Sequence, residues 1–168
     1  MPLYLGNQKI KTLYVGGQKI KEAWTMVGGV MRKVHSSFTP MGMIRAADGN
    51  ITTATPIKTI GWSADPAFPG SVAVNNGLQV NGSVAAVLNF SGTFYPTFSM
   101  NMNIAAYVNG VQRGSTWTFA MNAYNNNVRS GSIPISVNAG EVVDLYAWST
   151  NAFTVTVRAG TTWSIVPA

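Results

Sequence analysis

The sequence predicts an all-β protein, and three observations carry that prediction. Through the C-terminal half of the 168 residues, short runs of β-branched and aromatic residues alternate with polar or small ones, the period of two that a half-buried strand requires. Turn pairs such as Asn-Gly and Ala-Gly recur between those runs at intervals of roughly 8 to 12 residues, the spacing of sandwiches and barrels. Gly (17 residues) and Asn are abundant, and no amphipathic helix is visible between the runs.

Taken in order, the chain opens on a repeat. Leu3 to Lys11 (LYLGNQKIK) and Leu13 to Lys21 (LYVGGQKIK) align at an offset of ten. Trp24 continues the aromatic position of Tyr4 and Tyr14, and Val27 to Val34 forms a stretched third copy. Each unit reads as two short extended pieces around a glycine turn, too short to bury a core alone. The segment therefore has to pack on something else.

The charge is concentrated in the same place. Of a net +6, the first 40 residues hold Lys9, Lys11, Lys19, Lys21, Arg32 and Lys33 against Glu22 alone, and the rest of the chain is nearly balanced. Lysines beside Tyr4, Tyr14 and Trp24 could contact phosphate or nucleic acid. The plainer reading puts Lys9 and Lys11 on the solvent face of a strand with Ile10 turned inward, or on a surface that docks to protein. Nucleic-acid-binding domains carry a denser basic patch, so no nucleic-acid partner is expected. Tyr4, Lys9, Lys11, Tyr14, Lys19, Lys21 and Trp24 are taken as docking residues.

Residues 35–56, rich in Thr, Pro, Gly and Met, read as a linker or extended segment. The expected division is thus 1–34, a basic β-repeat; 35–56, the linker; and 57–168, the folded block. Ile57 to Trp62 opens that block, Ala64 to Gly70 is a turn cluster, and Asn75-Asn76-Gly77 builds a hairpin inside Val72 to Val80. Ser83 to Phe94 reads as a strand punctuated by Asn81-Gly82 and Ser91-Gly92. Met100 to Val108 and Val111 to Thr118 flank Asn109-Gly110, the strongest short-range hairpin signal, because a type I′ turn needs positive φ at both central residues. Val128 to Val137 follows, with Pro134 marking an edge or a strand end. Glu141 to Trp148, Phe153 to Arg158 and Thr162 to Val166 complete the set.

Composition limits function. Only 10% of residues are charged, well below the roughly 25% of an average globular chain, so the surface is expected to be covered by Asn, Ser, Thr and Gly or by neighbouring subunits. With no cysteine, disulfides, thiolate metal sites and cysteine nucleophiles are excluded. No signal peptide is visible at Met1-Pro2-Leu3-Tyr4, and no run of 18 apolar residues exists. We therefore expect no membrane insertion and synthesis without a secretory signal.

The chemistry of catalysis is thin. His35 has no nearby acid in sequence, and a triad needs base, orienter and nucleophile together. Glu141 and Asp144, the only close acid pair, fall on opposite faces of one strand, whereas a glycosidase needs two carboxylates flanking the bond. Asp144 is expected at a bulge, an edge or a subunit contact. Asp48-Gly49-Asn50 is a fragment of a calcium loop without the other acids and reads as a plain turn. No Walker loop occurs. No catalytic residue, metal ligand or cofactor is assigned, and the chain is expected not to be an enzyme. The rings of Trp62, Tyr107, Trp117, Tyr146, Trp148 and Trp163 are the candidates for a subunit interface or a glycan, core packing being the plainer reading for any one ring.

A resemblance adds to this pattern. The two N-terminal units resemble the short glycine-and-lysine repeats that open minor tail proteins of tailed phages, the actinobacteriophage type in particular. The body is similar to the tumour-necrosis-factor-like jelly rolls at the C-terminal ends of such proteins. The likeness rests on Pro69-Gly70-Ser71-Val72, Asn76-Gly77-Leu78-Gln79-Val80, Val87 to Phe94 (VLNFSGTF), Val108-Asn109-Gly110 and Val137 to Leu145 (VNAGEVVDL). The last run matches a hydrophobic-x-Ala-Gly-Asp-hydrophobic pattern, with Glu141 in place of the common Asp. The resemblance implies a jelly-roll sandwich, a homotrimer, docking to other phage tail proteins through the repeat, location in the virion and, as a further partner, a host cell-envelope glycan. The alternative is a free-standing carbohydrate-binding jelly-roll module, since fold alone does not decide function.

Overall fold

The computed structural model describes residues 38–168 throughout and, before them, the strands of three hairpins. These are β1 (Tyr4–Leu5) with β2 (Gln8–Lys9), β3 (Leu13–Val15) with β4 (Gln18–Ile20), and β5 (Glu22–Val27) with β6 (Val30–Ser36). The repeat seen in the sequence is a repeat of register. Tyr4 opposes Lys9 in the first hairpin and Tyr14 opposes Lys19 in the second.

Thirteen further strands form two antiparallel sheets. They are β7 (Met41–Arg45), β8 (Gly49–Ile51), β9 (Ile57–Lys58), β10 (Trp62–Ala64), β11 (Val72–Val74), β12 (Gly77–Gln79), β13 (Val84–Pro96), β14 (Met100–Val108), β15 (Val111–Met121), β16 (Asn127–Val137), β17 (Val142–Ser149), β18 (Val155–Val157) and β19 (Thr162–Pro167). The seven-stranded sheet runs β10-β7-β19-β13 with β16 along the far edge of β13, while β18 and then β8 extend beside the last residues of β13. The six-stranded sheet runs β11-β12-β17-β14-β15, with β9 beside β17. All pairings are antiparallel, and the described residues contain no helix.

The alternation read from the sequence sets which face is buried. Leu88, Phe90 and Phe94 on β13, Trp163 and Ile165 on β19, and Met41 and Met43 on β7 turn inward. Met102 and Ile104 on β14, Phe119 and Met121 on β15, and Val143 and Leu145 on β17 meet them. The several methionines suit a core between two twisted sheets, because an unbranched, flexible side chain fills irregular gaps. Trp62 joins from β10, edge-on to Trp163 with ring centroids 6.3 Å apart, and its Nε1–H donates to Thr59 Oγ1 at 2.8 Å.

The expected turns form where Asn and Gly allow them. Asn109 and Gly110 have φ of 49° and 82°, and Asn75 and Asn76 have 49° and 66°, the double positive φ of a type I′ turn. Pro134 sits on β16, whose single partner strand is β13, so its missing N–H costs the ladder nothing. Asp65 Oδ1 accepts from the Ala67 N–H at 2.9 Å and closes the expected turn cluster.

Two expectations are corrected. The block begins at Met41, not at Ile57. Most of the supposed linker is strand, with β7 paired to β19 and β10, and β8 paired to β18. Gly42 hides β7 in the sequence, yet a Cβ there would lie 2.3 Å from Phe68 Cδ2, so the ring above requires glycine. The strand read over Ser83 to Phe94 is β13, which runs through Ser91-Gly92, where Gly92 makes room for Thr161. The strand expected over Phe153 to Arg158 shortens to β18, leaving Phe153 in a loop.

Arg45 explains why a charged residue ends β7. Its guanidinium is inside the fold, donating to the carbonyls of Ile60 at 2.6 Å and Ala47 at 3.0 Å and lying over the Trp62 ring at 5.6 Å. Burial lowers its pKa and the nearby Asp48 opposes that change. The guanidinium still carries its charge at neutral pH, because arginine does not deprotonate in proteins. It fastens the excursion 46–61 to the sheet.

Candidate functional site

The two outward sheet faces differ in chemistry, and both follow from strand parity. On the seven-stranded sheet the residues turned away from the core are Gly42 and Ile44 on β7, Thr162, Ser164 and Val166 on β19, alternate residues of β13 from Ala85 to Tyr95, and Val128, Ser130, Ser132, Pro134 and Ser136 on β16. None is charged. Arg158 lies just past β18 over the Tyr95 ring at 5.0 Å and is paired with Asp48 at 2.7 Å, and Arg129, between Val128 and Ser130, is turned to the Ala120 carbonyl at 2.8 Å. A depression of about 340 Å³ lies in this face, lined by Phe68, Asn89, Ser91, Ser130, Thr162 and Ser164. Val128 is 66% exposed on it.

On the six-stranded sheet the outward residues of β17 are Asp144, Tyr146 and Trp148, and Asn103, Ala105 and Tyr107 oppose them on β14. Tyr107 and Tyr146 stack nearly parallel, with centroids 3.8 Å apart. Each ring thus covers one face of the other, and Ala105 beneath them is fully buried. Asp144 is 7% exposed; its carboxylate meets the Lys58 ammonium at 2.7 Å and fills the space above Gly77, where a Cβ would collide with it. Trp148 opposes Asn103, whose Oδ1 accepts from Thr118 Oγ1 at 2.7 Å. This is a half-buried aromatic and amide surface with its own pairs already made.

Of the six ring candidates, Tyr107, Tyr146 and Trp148 come together on this face. Trp117 turns inward at the sandwich edge, 4.5 Å from Phe119, and lies against Gly131, where a Cβ would be 2.4 Å from its ring. Trp62 and Trp163 are 8% and 1% exposed in the single chain. They belong to its core, which corrects their candidacy for an interface or a ligand. Parity carried the signal: Trp163 shares its face with Ile165, whereas Tyr146 and Trp148 share theirs with Asp144. Among the docking residues, Tyr4, Lys9, Tyr14, Lys19 and Trp24 lie on hairpin strands, and Lys11 and Lys21 fall outside the described residues.

The open edge between β15 and β16 is closed by two arginines. Arg129 donates to the Ala120 carbonyl from Nη2 at 2.8 Å, and Arg113 donates to the Ser136 carbonyl at 2.9 Å. Arg113 also grips Glu141 with both terminal nitrogens, at 3.1 and 2.8 Å, and the Asn138 N–H donates to the same carboxylate at 2.7 Å. Glu141 therefore ties the Asn138–Gly140 turn to the sheet edge. Burial pushes its pKa up, but the hydrogen bonds from Asn138 and Arg113 outweigh burial and hold it below the ordinary range.

Asp48 is likewise held low, first by the Ala159 N–H and then by Arg158. Every acid in 38–168 has such a structural partner, Asp65 and Asp144 included. Among the described residues no three His, Cys, Asp or Glu gather as a metal-ligand group.

The sign of the pH dependence follows from these two carboxyls. Both folded pKa values lie below the unfolded ones, so their contribution is complete above the unfolded carboxyl pKa of about 4 and is lost as pH falls through the folded values. Urea midpoints are expected to hold level from neutral pH to about 5 and to drop below about 4. Glu141→Gln should remove part of that drop while costing about 1–2 kcal/mol at neutral pH, because Arg113 loses its charged partner. A variant with the same acid limb as the parent would show that Glu141 does not carry it.

No family model matches the chain, and no curated protein matches its sequence. Solved structures do match in shape. The Eiger tumour necrosis factor of S. frugiperda superimposes with a TM-score of 0.53 at 9% identity, over 78% of this chain and 92% of that one. The globular domain of zebrafish complement 1qA gives 0.51 at 8% identity, over 77% and 96%. Murine APRIL at pH 5.0 gives 0.50 at 11% identity, over 78% and 99%. The fold of this chain is therefore the jelly-roll sandwich shared by tumour-necrosis-factor and complement 1q domains.

Proposed function

We propose that the chain is a non-enzymatic structural subunit of a phage tail, assembled as a homotrimer through the outward face of the seven-stranded sheet. Its N-terminal hairpins fasten it to other tail proteins, and its free end adheres to the host surface. The observation that carries the self-assembly is the charge-free face itself. A sheet surface of Ser, Thr, Ala, Val and Asn can be covered by another copy without stranding a charge, and interface centres are depleted of charged residues. Three copies around an axis close that surface completely.

The tail role draws its support from the repeat. Hairpins of identical register, Tyr4 opposite Lys9 and Tyr14 opposite Lys19, precede the sandwich, and units of this size need an outside surface to pack on. The second reading, a free-standing carbohydrate-binding jelly roll, is favoured by the exposed Phe98 and Phe153 pair, whose rings are 4.3 Å apart.

Two measurements decide between them. The mass of the purified protein in solution should be that of a trimer, and mass spectrometry of purified virions of the encoding phage should detect the chain. Deleting residues 1–34 should leave the trimer and abolish incorporation. Full incorporation of the truncated chain would overturn anchoring by the hairpins, and a monomer absent from virions would favour the free-standing module.

A further inference from the structure

The loops 97–99, 122–126 and 150–154 meet at one end of the sandwich, because β13, β15 and β17 run toward that end and β14, β16 and β18 run away from it. Hydrogen bonds join them. The Thr97 N–H donates to the Thr154 carbonyl at 3.0 Å, the Ala123 N–H to Ser99 Oγ at 3.1 Å, and the Tyr124 N–H to the Pro96 carbonyl at 2.9 Å. Phe98, Tyr124 and Phe153 nevertheless face water, 49%, 63% and 43% exposed. We infer that this end of the sandwich is a binding site for a neutral glycan, with those three rings as its stacking surfaces.

Held rings are the first argument. Tyr124 has φ of 54°, a left-handed conformation that bulky residues rarely adopt. Buried Asn127 keeps the loop there, donating to the carbonyls of Asn122 at 3.0 Å and Asn125 at 2.8 Å and accepting from the Asn122 N–H at 2.9 Å. The Asn127 bonds thus hold the loop in the conformation that presents the Tyr124 ring to water.

The rim supplies the second argument. The three loops contain no charged residue, and Asn122, Asn125 and Asn151 lie on them, with Asn101 two residues after the first. Aromatic faces take the apolar C–H face of a pyranose, and side-chain amides both donate to and accept from its hydroxyls. An anionic ligand would call for arginine or lysine. A membrane surface would call for a wide apolar face with basic residues beside it.

Position is the third. Residues 38–41 enter at the opposite end, where Thr39 and Asn81 bond reciprocally and Met41 opposes Ile165. The 13 residues of β13 separate the two ends, roughly 40 Å at the rise of an extended strand. A chain fastened at its leader presents this end outward. The inference deepens the adhesive part of the function proposed above, yet holds equally for a free-standing module.

Native electrophoresis of the full chain in gels containing galactan, mannan or glucan tests it. Retardation is expected in at least one of the three, unchanged from about 0.05 M to about 0.5 M NaCl, since no ion pair is screened. Phe98→Ala, Phe153→Ala and Tyr124→Gly should each weaken it about tenfold, the weight of one stacking contact. Trp148→Ala, on the other aromatic face, should leave it unchanged. Trimer mass and virion incorporation should not move in the loop variants, so a failure here is separable from a failure of the tail assignment. Retardation in none of the three gels, retardation only in an alginate gel, or loss with Trp148→Ala but not with the loop variants would overturn the proposal.

Discussion

Arginine at Ser130 is expected to turn the assembled protein into monomers while leaving the fold intact. Ser130 lines the depression in the charge-free face, and its Oγ lies 3.0 Å from Ser91 Oγ on the neighbouring strand. In the single chain the position is exposed, so a longer side chain can extend past Ser91 into water. In a trimer closed over this face the guanidinium would be desolvated against Ser, Thr and Val, with no carboxylate among the outward residues of the sheet. A stranded charge costs about 3 kcal/mol or more, over about a hundredfold in the association constant, and a trimer carries three of them.

Sedimentation should show a single small species for Ser130→Arg at concentrations where the parent is fully assembled, with the parent's β-sheet circular dichroism retained and a melting temperature lowered only by the lost assembly. Gln79→Arg, exposed on the six-stranded sheet, serves as the control and should sediment like the parent. An assembled Ser130→Arg would mean that the charge-free face is not the contact.

Trp163→Ala should cost about 3–5 kcal/mol, among the largest penalties a single change can bring to this sandwich. The ring is 1% exposed, lies edge-on to Trp62 and faces the six-stranded sheet, so its loss opens a cavity that two hydrogen-bonded sheets cannot collapse around. Trp163→Phe should be far milder, below about 1.5 kcal/mol. The reason is the indole N–H, which is buried and finds no acceptor among the described residues. Phenylalanine gives up some volume but also removes a polar group that folding had stripped of water without replacement. Urea unfolding of the two variants should therefore separate cleanly. Equal penalties would show that the N–H does find a partner, and a small penalty for Trp163→Ala would show that the site repacks.

The sandwich was legible wherever the period of two ran unbroken. The strands β13 to β17 and β19 and the Asn109-Gly110 turn follow from alternation and turn chemistry. Legibility failed where a tertiary contact chose the residue. Gly42 looks like a strand breaker, but it yields to a neighbouring side chain, Phe68. Arg45 looks like a surface residue, but the Ile60 and Ala47 carbonyls draw it inside. The exposed rings were the harder part. Sequence shows eighteen aromatic residues without saying which are buried, and Phe98 lies in a turn where parity has no meaning.

By itself the sequence determined an all-β sandwich, a leading repeat that carries the charge and a body almost without any. Those are properties of composition and short-range period, set residue by residue. Which strands pair, that β7 and β8 belong to the body, that one sheet face is free of charge and that three distant loops share an end were decided only by the tertiary structure. Strand pairing across many intervening residues joins side chains that no local pattern relates, and faces and ends exist only once both sheets have closed on their core.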